Sequence, residues 1–171
     1  RSGAGRRSGA VSRAGDRAVR WLATGFGLGY SPLVSGTVGT LPGVALVLLL
    51  WRWTPHPAVQ AMVALALAAA AVPICSAAEM QFGRKDDGRI VADEFLTFPV
   101  CMIGLPVAAS EWWVLPLAFV TARAFDILKP PPAYGAQRLP AGWGIVADDF
   151  LASLYSLAAN HALYALLHRG R

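Results

Sequence analysis

The sequence predicts an all-α fold, a single compact domain of about six to eight helices embedded in or associated with a membrane. Three observations carry that reading. Hydrophobic residues fill 56% of the 171 positions and charged residues only 15%, against about 25% charged in ordinary soluble domains, and mean hydropathy is +0.48. Strand-like alternation of apolar and polar residues is absent while alanine abounds. Residues 58–78, AVQAMVALALAAAAVPICSAA, carry no charge over a length that just spans a bilayer. The length suits one domain with a real core and is too short for two.

Residues 1–19 form a basic leader in which Arg1, Arg6, Arg7, Arg13 and Arg17 face one acid, Asp16. Its Gly/Ser/Ala-rich composition reads as disordered, either a flexible tail or a segment drawn to anionic lipid that marks the cytoplasmic side. No aromatic residues interleave with the arginines, which excludes a nucleic-acid surface. No apolar core and cleavage site follow directly, so the leader does not read as a signal peptide. Residues 20–171 are the helical domain.

Residues 19–30 read as a short helix ending at Gly25, Gly27 and Gly29. SPLVSGTVGTLPG, residues 31–43, is a loop by every local signal, with two prolines, three glycines and four hydroxyls. An apolar helix over 43–53 ends at TPHP, and the helix over 58–78 contains Pro73, which kinks it. A polar stretch, EMQFGRKDDGR, leads into an apolar run over 95–109 interrupted by Pro99, Gly104 and Pro106. The next helix, 111–129, carries Trp112 and Trp113 near its start, as at membrane interfaces, and stops at KPPP. AYGAQRLPAGWG is a second loop before a last helix over 148–168. Residues 58–78 and 150–167 are long enough to span; the broken segments read as re-entrant or interfacial.

Acids are scarce, so their clustering is informative. Asp93 and Glu94 are adjacent, and no charged residue follows until Glu111. Burying an unpaired carboxylate is costly unless a cation compensates it. Arg123, Asp126 and Lys129 stand at three-residue spacing on one helix face, and Asp148 and Asp149 open the last helix. Each island has a plain structural reading: an intrahelical ion-pair ladder for the second, a helix cap for the third. Together they have the composition of a phosphoryl-transfer site, in which carboxylates hold a hard cation such as Mg²⁺ and Arg and Lys neutralise phosphate oxygens. In the loop, Ser31, Ser35, Thr37 and Thr40 offer hydroxyls, Gly36 and Gly39 let backbone N–H groups approach an anion, and Thr40 is placed to cap the next helix. No Walker lysine follows, so nucleotide hydrolysis is not indicated. His56, His161 and His168 lack metal-ligand spacing and read as structural or surface residues; Cys75 and Cys101 read as buried free thiols.

The segments GFGLGYSPLVSGTVGTLPG, GRIVADEF, RAFDILKPPP and GWGIVADDFLAS resemble, in order and spacing, the motifs of the phosphatidylglycerophosphatase A family, from Trp21 to about Tyr164. The resemblance implies a Mg²⁺-dependent, membrane-bound lipid phosphatase with an all-helical fold. Such an enzyme converts phosphatidylglycerophosphate to phosphatidylglycerol at the bacterial cytoplasmic (inner) membrane, its site facing the cytoplasm. Carried over by motif, Asp93, Glu94, Arg123, Asp126, Lys129, Asp148 and Asp149 form the catalytic set. Asp93, Glu94, Asp126 and Asp149 are the expected metal ligands, and Ser31 through Thr40 the phosphate side. The expected partners are the phospholipid substrate and the membrane, with no nucleic acid; oligomeric state is not encoded legibly. The chain departs from the family pattern at Ser35, where the family favours proline, and at Thr97, where it favours glycine. It departs again at Gln137 and Ala141, in place of an acid and a glycine. A CDP-alcohol phosphotransferase would need later acids four residues apart, and Asp148 and Asp149 are adjacent. A degenerate relative acting as a lipid-binding scaffold is the non-enzymatic alternative.

Overall fold

The computed structural model describes residues 15–32 and 34–168. Of the expected leader, 1–14 lie outside the described residues, and 15–19 belong to a first helix, α1, over residues 15–23. A 3-10 turn at Leu28–Tyr30 follows, then α2 (Ser35–Gly39), α3 (Leu41–Trp51) and α4 (Pro57–Phe82). The short α5 (Ala92–Thr97) continues as a 3-10 turn, Phe98–Met102, before α6 (Val114–Leu128), α7 (Ala133–Ala136) and α8 (Gly142–His168). No strand occurs among the described residues, as the composition predicts.

The centre of the bundle is its least regular part. Residues 90–102 are buried throughout except Glu94, which is half-buried, and α3, α4, α6 and α8 pack around them. Phe98, Val100, Cys101 and Met102 join Val47, Trp51 and Val114 in one apolar cluster, while Ala92, Phe95 and Leu96 join Cys75 and Ile145 in another. A broken helix leaves backbone groups without partners, and inside an apolar bundle they must be met by side chains. Trp51 Nε1 donates to Met102 O at 2.9 Å, Asn160 Nδ2 to Cys101 O at 3.2 Å, and Gly104 N–H to Gln60 Oε1 at 2.8 Å. Pro99 thus lies inside a buried segment, and side chains of Trp51, Asn160 and Gln60 meet the backbone of that segment and of the turn at Gly104 that follows it.

The expected loop over 31–43 is largely helical. Pro42 sits in the first turn of α3, where its missing N–H costs nothing. The glycines here are points of close approach: a Cβ at Gly39 would stand 2.5 Å from Val91 Cβ, and one at Gly43 would stand 2.7 Å from Phe95 O. The last helix begins at Gly142, six residues before the predicted start, because Gly142 lets α8 dock on α4. Its N–H donates to Ser76 Oγ at 3.0 Å, and a Cβ there would run into Val72 O. Asp148 and Asp149 therefore lie nearly two turns inside the helix, so neither is a cap.

Helix α4 starts at a proline with His56 Nδ1 accepting from Ala58 N–H at 3.2 Å, and ends at Gly83, φ 67°. Its inner face, Ala64, Ala68, Ala71, Cys75 and Ala78, repeats at alternating spacings of four and three with small side chains that admit close neighbours. Its outer face is also apolar; Met62, Leu65 and Met80 are well exposed. The α8 surface ends likewise in exposed Leu166 and Leu167. These helices, 26 and 27 residues long, are long and apolar enough to cross a membrane, and only 33% and 22% of their most apolar windows are buried within the bundle. Apolar helix faces turned away from the core fit a membrane-associated protein. His161 and His168 bond to Ile103 O, Tyr164 O and Glu111, and both cysteines are free and buried, as expected.

Candidate active site

The chain direction gathers the acids. From Thr40, α3 runs to Trp51, which bonds the far end of the central buried segment; α6 returns from Trp113, stacked on Tyr164, to Arg123 and Lys129. Thus the start of α3, the start of α5, the end of α6 and the first turns of α8 meet at one end of the bundle.

On α6 the three-residue spacing puts Arg123 Nη2 3.0 Å from Asp126 Oδ2 and Lys129 Nζ 3.8 Å from Asp126 Oδ1. The ladder is more than local, because each cation also reaches another element. Arg123 Nη1 lies 3.4 Å from Glu94 Oε2 of α5, and Lys129 Nζ lies 2.5 Å from Asp148 Oδ2 of α8. Lys129 closes α6 in the left-handed conformation, φ 42°, its N–H bonded to Phe125 O at 2.8 Å, just before the prolines. The second donor to Asp148 Oδ2 is Gln137 Nε2, at 2.9 Å.

Of the expected phosphate-side residues, Gly36 and Thr40 touch this cluster. The Thr40 hydroxyl lies 2.9 Å from Gly36 O and 3.3 Å from Glu94 Oε2, and it accepts from Arg123 Nη1 at 3.4 Å. It makes no cap to α3, contrary to expectation, since it is turned into the site. A Cβ at Gly36 would run into Glu94 Oε1 and stand 2.6 Å from Arg123 Nη2, so a side chain there would displace the ends of both ion-pair partners. Gly39 serves packing against Val91, and Ser31, Ser35 and Thr37 lie half-buried along the same segment.

A small cleft opens among Thr40, Glu94, Arg123, Asp126 and Asp149, with Thr97 and Ser153 in its wall. Thr97, a departure from the family pattern, satisfies itself by donating to Asp93 O at 2.7 Å. Sequence reasoning does not single out Ser153; its one signal is a place four residues, one helical turn, beyond Asp149.

The electrostatics are unbalanced. Asp93, Asp148 and Asp149 are 7%, 5% and 6% exposed, and Asp93 Oδ1, Asp148 Oδ1 and Asp149 Oδ2 are buried without a hydrogen-bond partner. Such orphaned acceptors carry the full cost of lost hydration. Burial lifts the Asp93 carboxyl well above the usual range, and the charges of Glu94, Asp148 and Asp86 push it further. At Glu94 burial outweighs the attraction of Arg123, and its carboxyl is pushed up to about 7.

Asp126, Asp148 and Asp149 each offer an oxygen within 4.8 Å of the others. All-oxygen donors, some already stripped of partners, fit a hard divalent cation of the Mg²⁺ kind. This grouping differs from the expected ligand set: Asp148 enters it, Glu94 is engaged by Arg123 and Thr40, and Asp93 stands beside it with a free oxygen.

A carboxyl whose pKa is higher in the folded protein binds more protons there, so its contribution to stability is full below the unfolded pKa and declines as pH rises. For Glu94 the window runs from 4.5 to about 7. The metal-free protein in detergent is expected to lose melting temperature across that window, and Glu94→Gln to flatten the fall. Scanning fluorimetry in EDTA checks it; an unchanged slope in the variant would refute the electrostatic reading.

A family model for phosphatidylglycerophosphatase A matches residues 21–164, which contain all of these residues. The chain is 32% identical over 146 residues to the phosphatidylglycerophosphatase A of Haemophilus influenzae, covering 85% of this chain and 88% of that one. It is 33% identical over 136 residues to the enzyme of the same name from Escherichia coli, covering 79% and 77%. A putative phosphatidylinositol-3-phosphatase of Bacteroides thetaiotaomicron is 30% identical over 138 residues, covering 79% and 86%. No solved structure matches the chain. With a match this long and its acids and bases gathered at one end of the bundle, the chain belongs to the phosphatidylglycerophosphatase A family.

Proposed function

We propose that this protein is a Mg²⁺-dependent lipid phosphatase that hydrolyses phosphatidylglycerophosphate to phosphatidylglycerol and phosphate, a step of phospholipid biosynthesis. The observation that carries the reading is the set of partnerless buried oxygens on Asp93, Asp148 and Asp149 beside two cations, at one end of a lipid-facing bundle. Asp126, Asp148 and Asp149 would hold the cation, with Asp93 next to them. A bound Mg²⁺ supplies Lewis-acid polarisation of the phosphate ester.

The chain's own groups do the rest. Arg123 and Lys129 exchange part of their carboxylate contacts for phosphoryl oxygens and offset the charge that develops there. The Thr40 hydroxyl, beside Arg123, donates to the same group. The phosphorus–oxygen bond to glycerol breaks as the bond to water forms; a carboxylate of the cluster takes the water's proton, and the glycerol oxygen regains one.

The charge distribution favours a bacterial inner-membrane protein with its site towards the cytoplasm. Among the described residues, Arg20 and Arg89 stack on Phe82 at the close of α4, with Arg84 and Lys85 just beyond it and Arg138 next to Gln137, whereas Arg52 closes α3 at the other end. An excess of Arg and Lys marks the cytoplasmic side.

A second reading, hydrolysis of another lipid phosphomonoester, is favoured by the relative named for phosphatidylinositol-3-phosphate. The deciding measurement is inorganic phosphate release by purified protein in mixed micelles of each lipid, with Mg²⁺ and then with excess EDTA. Mg²⁺-dependent release from phosphatidylglycerophosphate is expected. Release only from the inositol lipid would favour the second reading, and none from either by folded protein would favour a non-catalytic scaffold.

A further inference from the structure

The segment between α6 and α8 is short, and its backbone is pressed onto the first turn of α8. Gly144 N–H donates to Ala141 O at 3.0 Å, and a Cβ at Gly144 would collide with Leu139 O and Gln137 O. This docking delivers Gln137, the residue just after α7, to Asp148. Its amide nitrogen lies 2.9 Å from Asp148 Oδ2, the oxygen that Lys129 Nζ also engages at 2.5 Å, while Oδ1 of the same carboxylate is buried with no partner.

We propose that Gln137 is a positioning residue: with Lys129 it saturates Asp148 Oδ2 and so turns Oδ1 towards a cation held with Asp126 and Asp149. Two donors on one oxygen fix the carboxylate's rotation about its χ2, a torsion that is otherwise broad. A neutral amide suits the task. It donates as a second cation would, yet adds no positive charge to oppose the incoming metal. A carboxylate at 137 could not donate, and it would add a like charge beside Asp148. Losing an orienting partner of this kind costs about tenfold or more in metal affinity or activity.

The inference rests on the proposed metal role, so its test reads binding apart from turnover. Mn²⁺ binding to purified protein is followed by electron paramagnetic resonance, and phosphate release is titrated with Mg²⁺, for wild type and for Gln137→Met, which keeps the size and loses the donor. The variant is expected to weaken Mn²⁺ binding and raise the half-saturating Mg²⁺ concentration about tenfold. Its turnover at saturating Mg²⁺ should stay within about threefold of wild type, since only metal loading is altered. In an Asp148→Asn background the same substitution should change Mn²⁺ binding no further, because Gln137 acts through that carboxylate. Unchanged Mn²⁺ affinity in Gln137→Met, or an equal loss when Gln137→Met is added to Asp148→Asn, would overturn the positioning role. A wild type that binds no Mn²⁺ would instead remove the metal reading beneath it.

Discussion

Asp149→Asn is expected to reduce phosphate release by about 10³-fold or more, the scale on which a lost group at a developing charge is felt. The carboxylate offers one oxygen to the cluster with Asp126 and Asp148, and its Oδ2 is buried without a partner. Asparagine keeps the shape but replaces an oxygen with an N–H₂ group, which cannot ligate a hard cation. The folded state should not suffer. Removing one negative charge from a crowded buried set relieves repulsion, so the metal-free variant should melt no lower than wild type, while the gain in melting temperature on adding Mg²⁺ shrinks. Loss of activity with retained or increased stability separates a functional acid from a structural one. Turnover within tenfold of wild type, measured by phosphate release with saturating Mg²⁺, would take Asp149 out of the site.

Arg123 should give the opposite pattern in stability. Its guanidinium reaches Asp126 Oδ2 at 3.0 Å, Glu94 Oε2 at 3.4 Å and Thr40 Oγ1 at 3.4 Å, and its side chain is only 16% exposed. Arg123→Met leaves the largely buried Glu94 without its ion-pair partner and Asp126 with Lys129 alone, 3.8 Å away. Breaking such a pair costs on the order of 3 kcal/mol, and loss of an arginine that binds the phosphoryl group costs about 10³-fold or more in turnover. Arg123→Lys tests geometry alone: an ammonium keeps the charge but cannot span α2–α3, α5 and α6 as a planar fork does. It should hold most of the melting temperature and still lose about 10²-fold or more in kcat/KM. Near-wild-type kcat/KM in Arg123→Lys would show that the residue supplies charge only, and undisturbed turnover in Arg123→Met would exclude it from the chemistry.

The sequence by itself determined the class of fold and most of the residues that gather at the candidate site. A chain with so few charges has little reason to keep Asp93–Glu94, Arg123–Asp126–Lys129 and Asp148–Asp149 unless they act together, and the three-residue spacing on α6 is readable because a helix turns 100° per residue. The apolar length of α4 was equally plain, since it is a property of composition. Tertiary structure decided what depends on neighbours distant in sequence. Glycine signals either a free turn or a close approach of two backbones, and only packing showed that Gly39, Gly43 and Gly142 are the latter, so that 31–43 is mostly helix and α8 begins before its acids. Pro99 reads in sequence as a break in an apolar segment, and its surroundings place it in a buried segment whose backbone carbonyls at Cys101 and Met102 are met by Asn160 and Trp51. The pairing within the site was hidden for the same reason. Which acid faces Asp126 and Asp149, and which donors hold Asp148, follows from the approach of α5, α6, α8 and the segment carrying Gln137, and no local pattern encodes distances between helices.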